Sequence, residues 1–245
     1  MVEERSVEVG EIRLACRMSG PRHGPPLVLL HALGEDATTW DAVATPLARG
    51  RRVYALDLRG HGRSDWPGEY SLDLMRADVL RFLDVLGLDA VNLVGHSMGG
   101  VVAYMLAQDH PRRVSRLVLE DVPLPRPRPP LARVRPDGDL TFDWGVVAAV
   151  GREIDRPDPR RLERFGEITA ETLVLAGGSR SHVPQDGIAD LARSIPGGHL
   201  ITIPVGHLIH RAAPEAFTEA VSAFLPGDAE DDLLLGGGRG GSPRP

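Results

Sequence analysis

Val91-Asn92-Leu93-Val94-Gly95-His96-Ser97-Met98-Gly99-Gly100 is the stretch of sequence that decides the fold. It opens with a strand-like run rich in β-branched residues, and an apolar, helix-like pattern follows through residues 101–106. Between the two, a serine stands in the order G-x-S-x-G. A turn this tight needs small residues on either side of the serine, because larger side chains would collide with the strand or the helix. The stretch therefore predicts a strand, a sharp turn and a helix, with the Ser97 hydroxyl exposed at the apex.

The helix predicted after Ser97 would also place hydrogen-bond donors beside the serine hydroxyl. The first N–H groups of a helix have no acceptor within it, so they point towards any negative charge that develops there. We therefore predict Ser97 as a nucleophile and the Met98 N–H as one donor of an oxyanion hole. The alternative is a turn between a strand and a helix that has small residues and no catalytic role.

The pattern of strand followed by helix recurs along the chain. Residues 7–12 and 13–18 resemble two short strands, and apolar strands are predicted at residues 27–30, 53–56, 115–120, 172–176 and 199–203. Helical patterns occupy residues 38–47, 72–86, 185–195 and 214–225. Such alternation predicts an α/β fold with a mostly parallel central sheet flanked by helices, and sites in such sheets collect at the carboxyl ends of the strands.

One segment interrupts this alternation. Residues 123–136 contain six prolines and four arginines, so they are predicted to be extended, and two helices are predicted at residues 142–154 and 158–165. We interpret residues 123–167 as a short cap or lid insertion into a core formed by residues 1–122 and 168–226. The acidic and glycine-rich residues 227–245 are predicted to be a disordered tail.

Composition excludes several classes of function. The net charge of −6 argues against nucleic acid as a partner. The start of the chain lacks the apolar segment of a signal peptide, and no apolar run approaches ~18 residues, so we expect a cytoplasmic protein that does not associate with membranes. All 28 basic residues are arginine, which excludes mechanisms that need a lysine amine. The oligomeric state stays open.

A serine nucleophile needs a general base. Because the chain contains no lysine, a histidine is the remaining candidate, and the chain has nine of them. His207 is our prediction, because it follows the last strand and precedes the final helix, on the same edge of the sheet as Ser97. His210 is predicted to be structural. No metal site is expected from these two histidines, because no cluster of carboxylates accompanies them.

Three further side chains are assigned to the substrate pocket. His31 and His96 follow predicted strands at the same edge as Ser97, and Trp144 lies in the insertion. Each also has a structural alternative. His31 would hold its loop by hydrogen bonds, His96 would pack within the turn, and Trp144 would pack the insertion onto the core.

Taken together, the motifs resemble the α/β-hydrolase fold family over residues 7–225. The resemblance is carried by His31-Ala32-Leu33-Gly34, Asp57-x-Arg59-Gly60-His61-Gly62-x-Ser64, the G-x-S-x-G turn, and Gly206-His207. It implies that His207 is the catalytic histidine. It also implies that the Leu33 N–H, or the Ala32 N–H as the alternative, is the second oxyanion donor.

The carboxylate that would complete a catalytic triad with Ser97 and His207 departs from the family pattern in its position. Its usual place follows the strand that ends near residue 176, but Arg180 stands there and no carboxylate occurs between residues 171 and 186. Some family members, haloalkane dehalogenases among them, take the acid from the end of the strand after the nucleophile helix. Glu120 is our prediction by that resemblance, Asp121 is the alternative acid, and a chain without an acid stays open. Arg180 is considered as a partner for Glu120.

These assignments predict a cofactor-free serine hydrolase of the carboxylic ester class, which acts on a small ester, thioester or lactone. C–C hydrolysis, amide cleavage and haloperoxidase-like chemistry use the same residues and stay open. The alternative function is a ligand-binding or weakly active protein with this scaffold and an incomplete triad.

Overall fold

The strands follow from the apolar runs in the sequence. The computed structural model describes residues 2–225, so the predicted tail lies outside the described residues. The strands are β1 (Glu3–Glu8), β2 (Arg13–Ser19), β3 (Pro26–Leu30), β4 (Arg52–Leu56), β5 (Val91–His96), β6 (Val114–Glu120), β7 (Glu171–Ala176) and β8 (Gly198–Thr202). The central strands β4 and β5 are buried at every position, which is typical of a parallel sheet covered on both faces.

The eight strands form one sheet with the order β1-β2-β4-β3-β5-β6-β7-β8. β1 pairs with β2 and β2 with β4 in antiparallel fashion, and every pair from β4 to β8 is parallel. The predicted α/β class, with a mostly parallel sheet, is confirmed. β5, which carries the serine turn, lies between β3 and β6, so the loops after these three strands meet at one edge.

The helices are α1 (Asp41–Leu47), α2 (Leu72–Val85), α3 (Met98–Asp109), α4 (Trp144–Asp155), α5 (Pro159–Glu163), α6 (Gln185–Ser194), α7 (Ile209–Ala212) and α8 (Pro214–Phe224). Two predicted helices are partly 3-10: the one at residues 38–47 begins with a 3-10 turn, Ala37–Trp40, and the one at residues 158–165 ends in a 3-10 turn, Arg164–Glu167. Within residues 2–225 no helix is both long and apolar enough to cross a bilayer.

Helices cover both faces of the sheet. α2, α3, α4 and α6 contribute to the larger apolar cluster on one face, and α1, α7 and α8 contribute to the cluster on the other. Leu173 and Leu175 of β7 point to the second face, whereas Val174 between them points to the first, as the alternation of a strand requires. This division decides below which side chains at the end of β6 can meet.

The insertion, residues 123–167, packs onto the first face. Val146 and Val150 of α4 and Phe165 are fully buried in the same cluster as α2 and α3. Its proline-rich part is tied to α4 through Asp155, whose carboxylate accepts hydrogen bonds from Arg128 Nε (2.8 Å) and Arg133 NH1 (2.7 Å). These arginines hold the pKa of Asp155 well below its usual range, against the effect of burial. The role of the insertion as a lid stays a prediction.

Candidate active site

The turn between β5 and α3 places Ser97 in strained backbone. Its φ of 51° and ψ of −114° lie in a region that residues other than glycine rarely adopt. The Ser97 N–H donates to the carbonyl of Glu120 at 3.0 Å, which holds the turn against the end of β6. Ser97 is partly exposed, whereas its neighbours His96 and Met98 are fully buried. A strained serine between a strand and a helix is the geometry that the sequence pattern predicts.

The glycines of the turn are required by close packing. A Cβ on Gly95 would lie 2.5 Å from the Cα of Gly100, and a Cβ on Gly99 would lie 2.3 Å from the carbonyl oxygen of Leu30. Both distances are shorter than any normal van der Waals contact. The second contact also brings the loop after β3 directly against the start of α3.

The two predicted oxyanion donors lie on these adjoining segments. Met98 is the first residue of α3, a position whose N–H has no acceptor within the helix. Leu33 lies on the loop after β3, which is held by two neighbouring histidines. His31 donates from Nδ1 to the Ala32 carbonyl (2.7 Å) and accepts at Nε2 from Leu58 N–H (3.0 Å). The Gly34 N–H donates to His61 Nε2 at 3.2 Å.

His207 lies on the loop between β8 and α7, and its partner is Asp121. The His207 Nδ1 is 2.7 Å from Asp121 Oδ2. Its ring centroid is 4.6 Å from that of His96, the residue that precedes Ser97. Asp121 follows β6 with a φ of 47°, so the backbone reverses there and turns this side chain away from the course of the strand.

Glu120 does not orient His207, contrary to the prediction from the sequence. Its carboxylate is fully buried and accepts from the backbone N–H of His210 (2.9 Å) and from the His210 ring at Nδ1 (2.9 Å). The cause is the alternation along β6. Glu120 is in register with Leu175, whose side chain lies on the face covered by α7, and α7 carries His210. The expectation that His210 is structural agrees with this contact.

The loop after β7 carries no carboxylate at residues 177–184 and instead supplies hydrogen-bond donors to Asp121. Asp121 Oδ1 accepts from the Gly177 N–H (2.8 Å) and from Gln185 Nε2 (3.3 Å), and Oδ2 accepts from the Ser181 hydroxyl. Burial opposes the charge of Asp121, but His207 and these donors outweigh it and hold the pKa of the carboxyl below its usual value. Sequence reasoning missed Ser181 and Gln185. The sequence signal that could have identified them is the polar loop after residue 176, which lies where other family members carry the acid of the triad.

The contacts of Arg180 also differ from the expectation that it could pair with Glu120. Its guanidinium donates to the carbonyl of Pro204 at 3.0 Å from Nε and 2.7 Å from NH2, so it braces the loop after β8 and does not pair with Glu120. A further residue of this loop was not singled out from the sequence. The exposed ring of His182 lies 4.2 Å from the ring of His207, measured between centroids.

Two of the three residues predicted for the substrate pocket are fully buried. Both ring nitrogens of His31 are occupied by the hydrogen bonds described above, so this side chain holds its loop. His96 donates from Nε2 to the carbonyl of His207 (3.0 Å) and has no exposed surface. The prediction that these two rings line the pocket is therefore wrong, because neither has any surface that a substrate can touch. Trp144 is half-buried at the start of α4, with its ring centroid 6.4 Å from that of Phe142, and its contact with substrate stays a prediction.

Charge is concentrated behind the serine turn. Burial opposes the charged form of His96, but the carboxylates of Glu120 and Glu35 outweigh it and raise the pKa of His96. Burial likewise opposes the charge of Glu35, yet the histidines around it, His96 first, lower its pKa to about 2. Glu35 is thus anionic at neutral pH, and the turn is backed by a network of buried carboxylates and imidazoles.

A cavity of about 330 Å³ lies between α3 and the insertion. Val101, one helical turn after Ser97, and Pro123, two residues after Asp121, both line it. Tyr104 and Met105 of α3 add apolar surface on the side of the core and Leu124 adds it on the side of the insertion, and charged side chains such as Asp73 and Glu153 also line the cavity.

Comparison with known proteins agrees with this architecture. Residues 25–150, just over half of the chain, match the family model described as alpha/beta hydrolase fold. The chain belongs to the α/β-hydrolase fold family. Within that family, it is similar over 92% of its length to the crystal structure of a hydrolase from Pseudomonas aeruginosa PA01, of which it covers 98%, with 29% identity and a TM-score of 0.79.

Similar sequences from this α/β-hydrolase family include proteins of different lengths. An uncharacterized protein from Mycobacterium tuberculosis is 42% identical over 108 residues, which are 44% of this chain and 31% of that protein, so the chain matches about a third of its length. An sn-1-specific diacylglycerol lipase from Mus musculus is 28% identical over 251 residues, with 82% of this chain and 81% of the lipase covered.

Proposed function

We propose that the protein is a cofactor-free serine hydrolase that cleaves a small carboxylic ester, thioester or lactone through an acyl-enzyme. Ser97 is the nucleophile, His207 the general base and acid, and Asp121 the carboxylate that orients His207. The N–H groups of Met98 and Leu33 stabilise the oxyanion. The observation that carries the proposal is the 2.7 Å contact of His207 Nδ1 with Asp121 Oδ2, beside a serine held in strained backbone.

The contact fixes how His207 can act. Asp121 is ionised and accepts from Nδ1–H, so the lone pair of the neutral ring is on Nε2. Nε2 takes the proton of the Ser97 hydroxyl as the oxygen attacks the carbonyl carbon, and the resulting imidazolium is stabilised by Asp121. The imidazolium then protonates the leaving alcohol, thiol or ring oxygen. Water repeats the sequence on the acyl-enzyme and regenerates Ser97.

The cavity between α3 and the insertion supports a small substrate. Its volume of about 330 Å³ is at the lower end of the roughly 300–1,000 Å³ usual for ligand pockets. We assign the apolar part of the substrate to this cavity, with the carbonyl at Ser97. The mouse relative is named a diacylglycerol lipase, which supports an ester as the bond that is cleaved.

The alternative function, a binding protein with an incomplete triad, was motivated by the absence of an acid in the loop after β7. That reason no longer applies, because the carboxylate of Asp121, from the end of β6, contacts His207. The two functions are separated by the reactivity of Ser97 towards acylating reagents.

The test is turnover of p-nitrophenyl acetate and butyrate by the wild-type chain and by Ser97→Ala. We expect the substitution to lower kcat at least ~10³-fold, because no other group can form the acyl-enzyme. A fluorophosphonate should label Ser97 in the wild type, and peptide mapping identifies the labelled residue. Hydrolysis that survives Ser97→Ala, or a label on another residue, would contradict the proposal.

A further inference from the structure

Behind the serine turn, three side chains from distant parts of the sequence converge. They are Glu35 on the loop after β3, His96 at the end of β5 and His210 on α7, and one ligand-type atom from each lies within 4.8 Å of the other two. From the sequence, no metal site was expected from His207 and His210, because no cluster of carboxylates accompanies them. Folding brings a carboxylate to His210 from Glu35, 175 residues earlier in the chain.

Two atoms of this cluster are buried without a hydrogen bond. Among the described residues, neither His96 Nδ1 nor Glu35 Oε2 has a hydrogen-bond partner. They face each other at 3.5 Å, which is too long for a strong charge-assisted hydrogen bond. The two atoms form a long ion pair without a hydrogen bond, so each keeps part of the roughly 1–3 kcal/mol cost of an unsatisfied buried polar atom, and a cation between them would satisfy both.

The two histidines are held as metal-binding histidines usually are. A histidine that binds a metal commonly donates from its other ring nitrogen to a carboxylate or a carbonyl, and this fixes the tautomer. His96 donates from Nε2 to the His207 carbonyl, so Nδ1 is the nitrogen that faces Glu35, and metal binding there would displace any proton that it carries. His210 is bound through Nδ1 by Glu120, which leaves Nε2.

We propose that Glu35, His96 and His210 form a binding site for a zinc-type divalent cation. Two imidazoles and one carboxylate suit zinc, whereas magnesium and calcium prefer oxygen ligands alone. Bonds of ~2.0–2.1 Å place tetrahedral ligand atoms roughly 3.4 Å apart, and the separation of His96 Nδ1 from Glu35 Oε2 already fits at 3.5 Å.

The third ligand needs a small adjustment. His210 Nε2 is 2.9 Å from the Thr39 hydroxyl, a single neutral hydrogen bond that a metal would replace. The ligand atoms lie within 4.8 Å of one another, so the His210 ring has to move by at most about 1.4 Å to reach the roughly 3.4 Å spacing of a tetrahedral site. Arg211, the neighbouring cation, approaches the other oxygen of Glu35, Oε1, at 3.7 Å, so it leaves Oε2 for the metal.

The site lies beside a surface cavity, and its ligand atoms on His96 and Glu35 are themselves buried. A cavity of about 450 Å³ is lined by Glu35 and by Thr39, the residue bonded to His210. Asp36, Asp41 and Arg211 also line it, so its walls carry more carboxylates than cations. A bound cation would connect the loop of Leu33, the turn of Ser97 and the loop of His207, so its role is to hold these three segments together.

The experiment is zinc binding to the untagged full-length chain after dialysis against a chelator, measured by calorimetry and by elemental analysis. We expect one zinc per chain and a rise in Tm of roughly 5 °C at saturating zinc. Glu35→Gln keeps the size of the side chain and should weaken zinc binding about 100-fold and abolish the rise in Tm. Magnesium should give neither signal.

His182→Gln is the matched control, because His182 and His207 form a second pair of neighbouring imidazoles that is more exposed. Zinc binding should be unchanged in this variant. If the wild type binds no zinc at micromolar concentration, Glu35 and His96 share a proton and the proposal is overturned. It is also overturned if Glu35→Gln binds zinc like the wild type, or if His182→Gln abolishes binding, since the metal would then lie at the mouth of the active site.

Discussion

Asp121→Asn should inactivate the proposed hydrolase by changing the tautomer of His207 without removing a side chain. The Gly177 N–H can only donate, so the carbonyl oxygen of the new amide must take the place of Oδ1. The amide NH₂ then takes the place of Oδ2 and donates to His207 Nδ1. The proton of the ring moves to Nε2, which can no longer accept a proton from Ser97.

The size of the effect follows from this tautomer. An asparagine that imposes the wrong tautomer on a catalytic histidine lowers kcat by ~10⁴-fold in a serine protease. We expect ~10³–10⁴-fold here, equivalent to about 4–5 kcal/mol in the activation barrier. The value of KM should change little, because Asp121 contacts His207 and the loop after β7 and not the substrate. The Ser181 hydroxyl can rotate to accept instead of donate, so the loop keeps its contacts and the fold should persist.

Glu120→Gln is the matched control, since it makes the same change one residue earlier in the chain. Glu120 contacts His210 and not His207, so we expect kcat to stay within tenfold of the wild type. The loss should appear in stability instead. Replacing a buried, charge-assisted hydrogen bond by a neutral one costs about 2 kcal/mol, or roughly 6 °C in Tm for a chain of this size.

The assay measures kcat and KM with p-nitrophenyl butyrate, and the second-order rate of fluorophosphonate labelling, which needs no knowledge of the natural substrate. Circular dichroism and thermal unfolding establish that both variants are folded. The reasoning is refuted if folded Asp121→Asn labels within tenfold of the wild-type rate. It is also refuted if Glu120→Gln loses as much activity as Asp121→Asn.

Two further predictions concern stability. Gly99→Ala should lower the free energy of unfolding by about 3 kcal/mol or more, because the new Cβ would lie 2.3 Å from the Leu30 carbonyl oxygen and the backbone would have to move. Denaturant unfolding measures this loss, and a loss below about 1 kcal/mol would show that the turn can widen. Asp109 accepts from Arg161 and Arg164, which hold its pKa at about 2 against burial. This folded-state pKa is below the ~3.9 of an unfolded chain, so the stabilisation is complete above that pH and is lost as pH falls towards 2. Between roughly pH 5 and pH 2, the free energy of unfolding of Asp109→Asn should therefore fall by about 1–2 kcal/mol less than that of the wild type. Equal losses in the two proteins would show that the ion pairs of Asp109 with Arg161 and Arg164 do not stabilise the fold.

The sequence predicted much of the architecture because its signals are local. The apolar runs at residues 27–30, 53–56 and 91–94 can be buried only as central strands of a parallel sheet, and the structure has β3, β4 and β5 there. The G-x-S-x-G pattern predicted the sharp turn because part of the need for small residues is local: a Cβ on Gly95 would meet Gly100, whereas Gly99 is required by its contact with Leu30 of β3. His207 was predicted at the carboxyl edge of the sheet because it follows the last strand, and the structure has it on the loop between β8 and α7, while its catalytic role stays a prediction.

Side-chain pairing at the end of β6 was not predictable in this way. Glu120 and Asp121 are adjacent, both are acidic, and the sequence contains nothing that fixes the backbone angle after the strand. The positive φ of Asp121 and the register of Glu120 with Leu175 send the two carboxylates to different histidines.

By itself, then, the sequence determined the parallel sheet, the strained serine and the loop that carries His207, since each depends on residues close together in the chain. Only the tertiary structure decided that Asp121 and not Glu120 contacts His207, and that Glu35 meets His96 behind the turn. The physical reason is that these contacts join loops from different strands, and their geometry is set by the register and twist of the whole sheet.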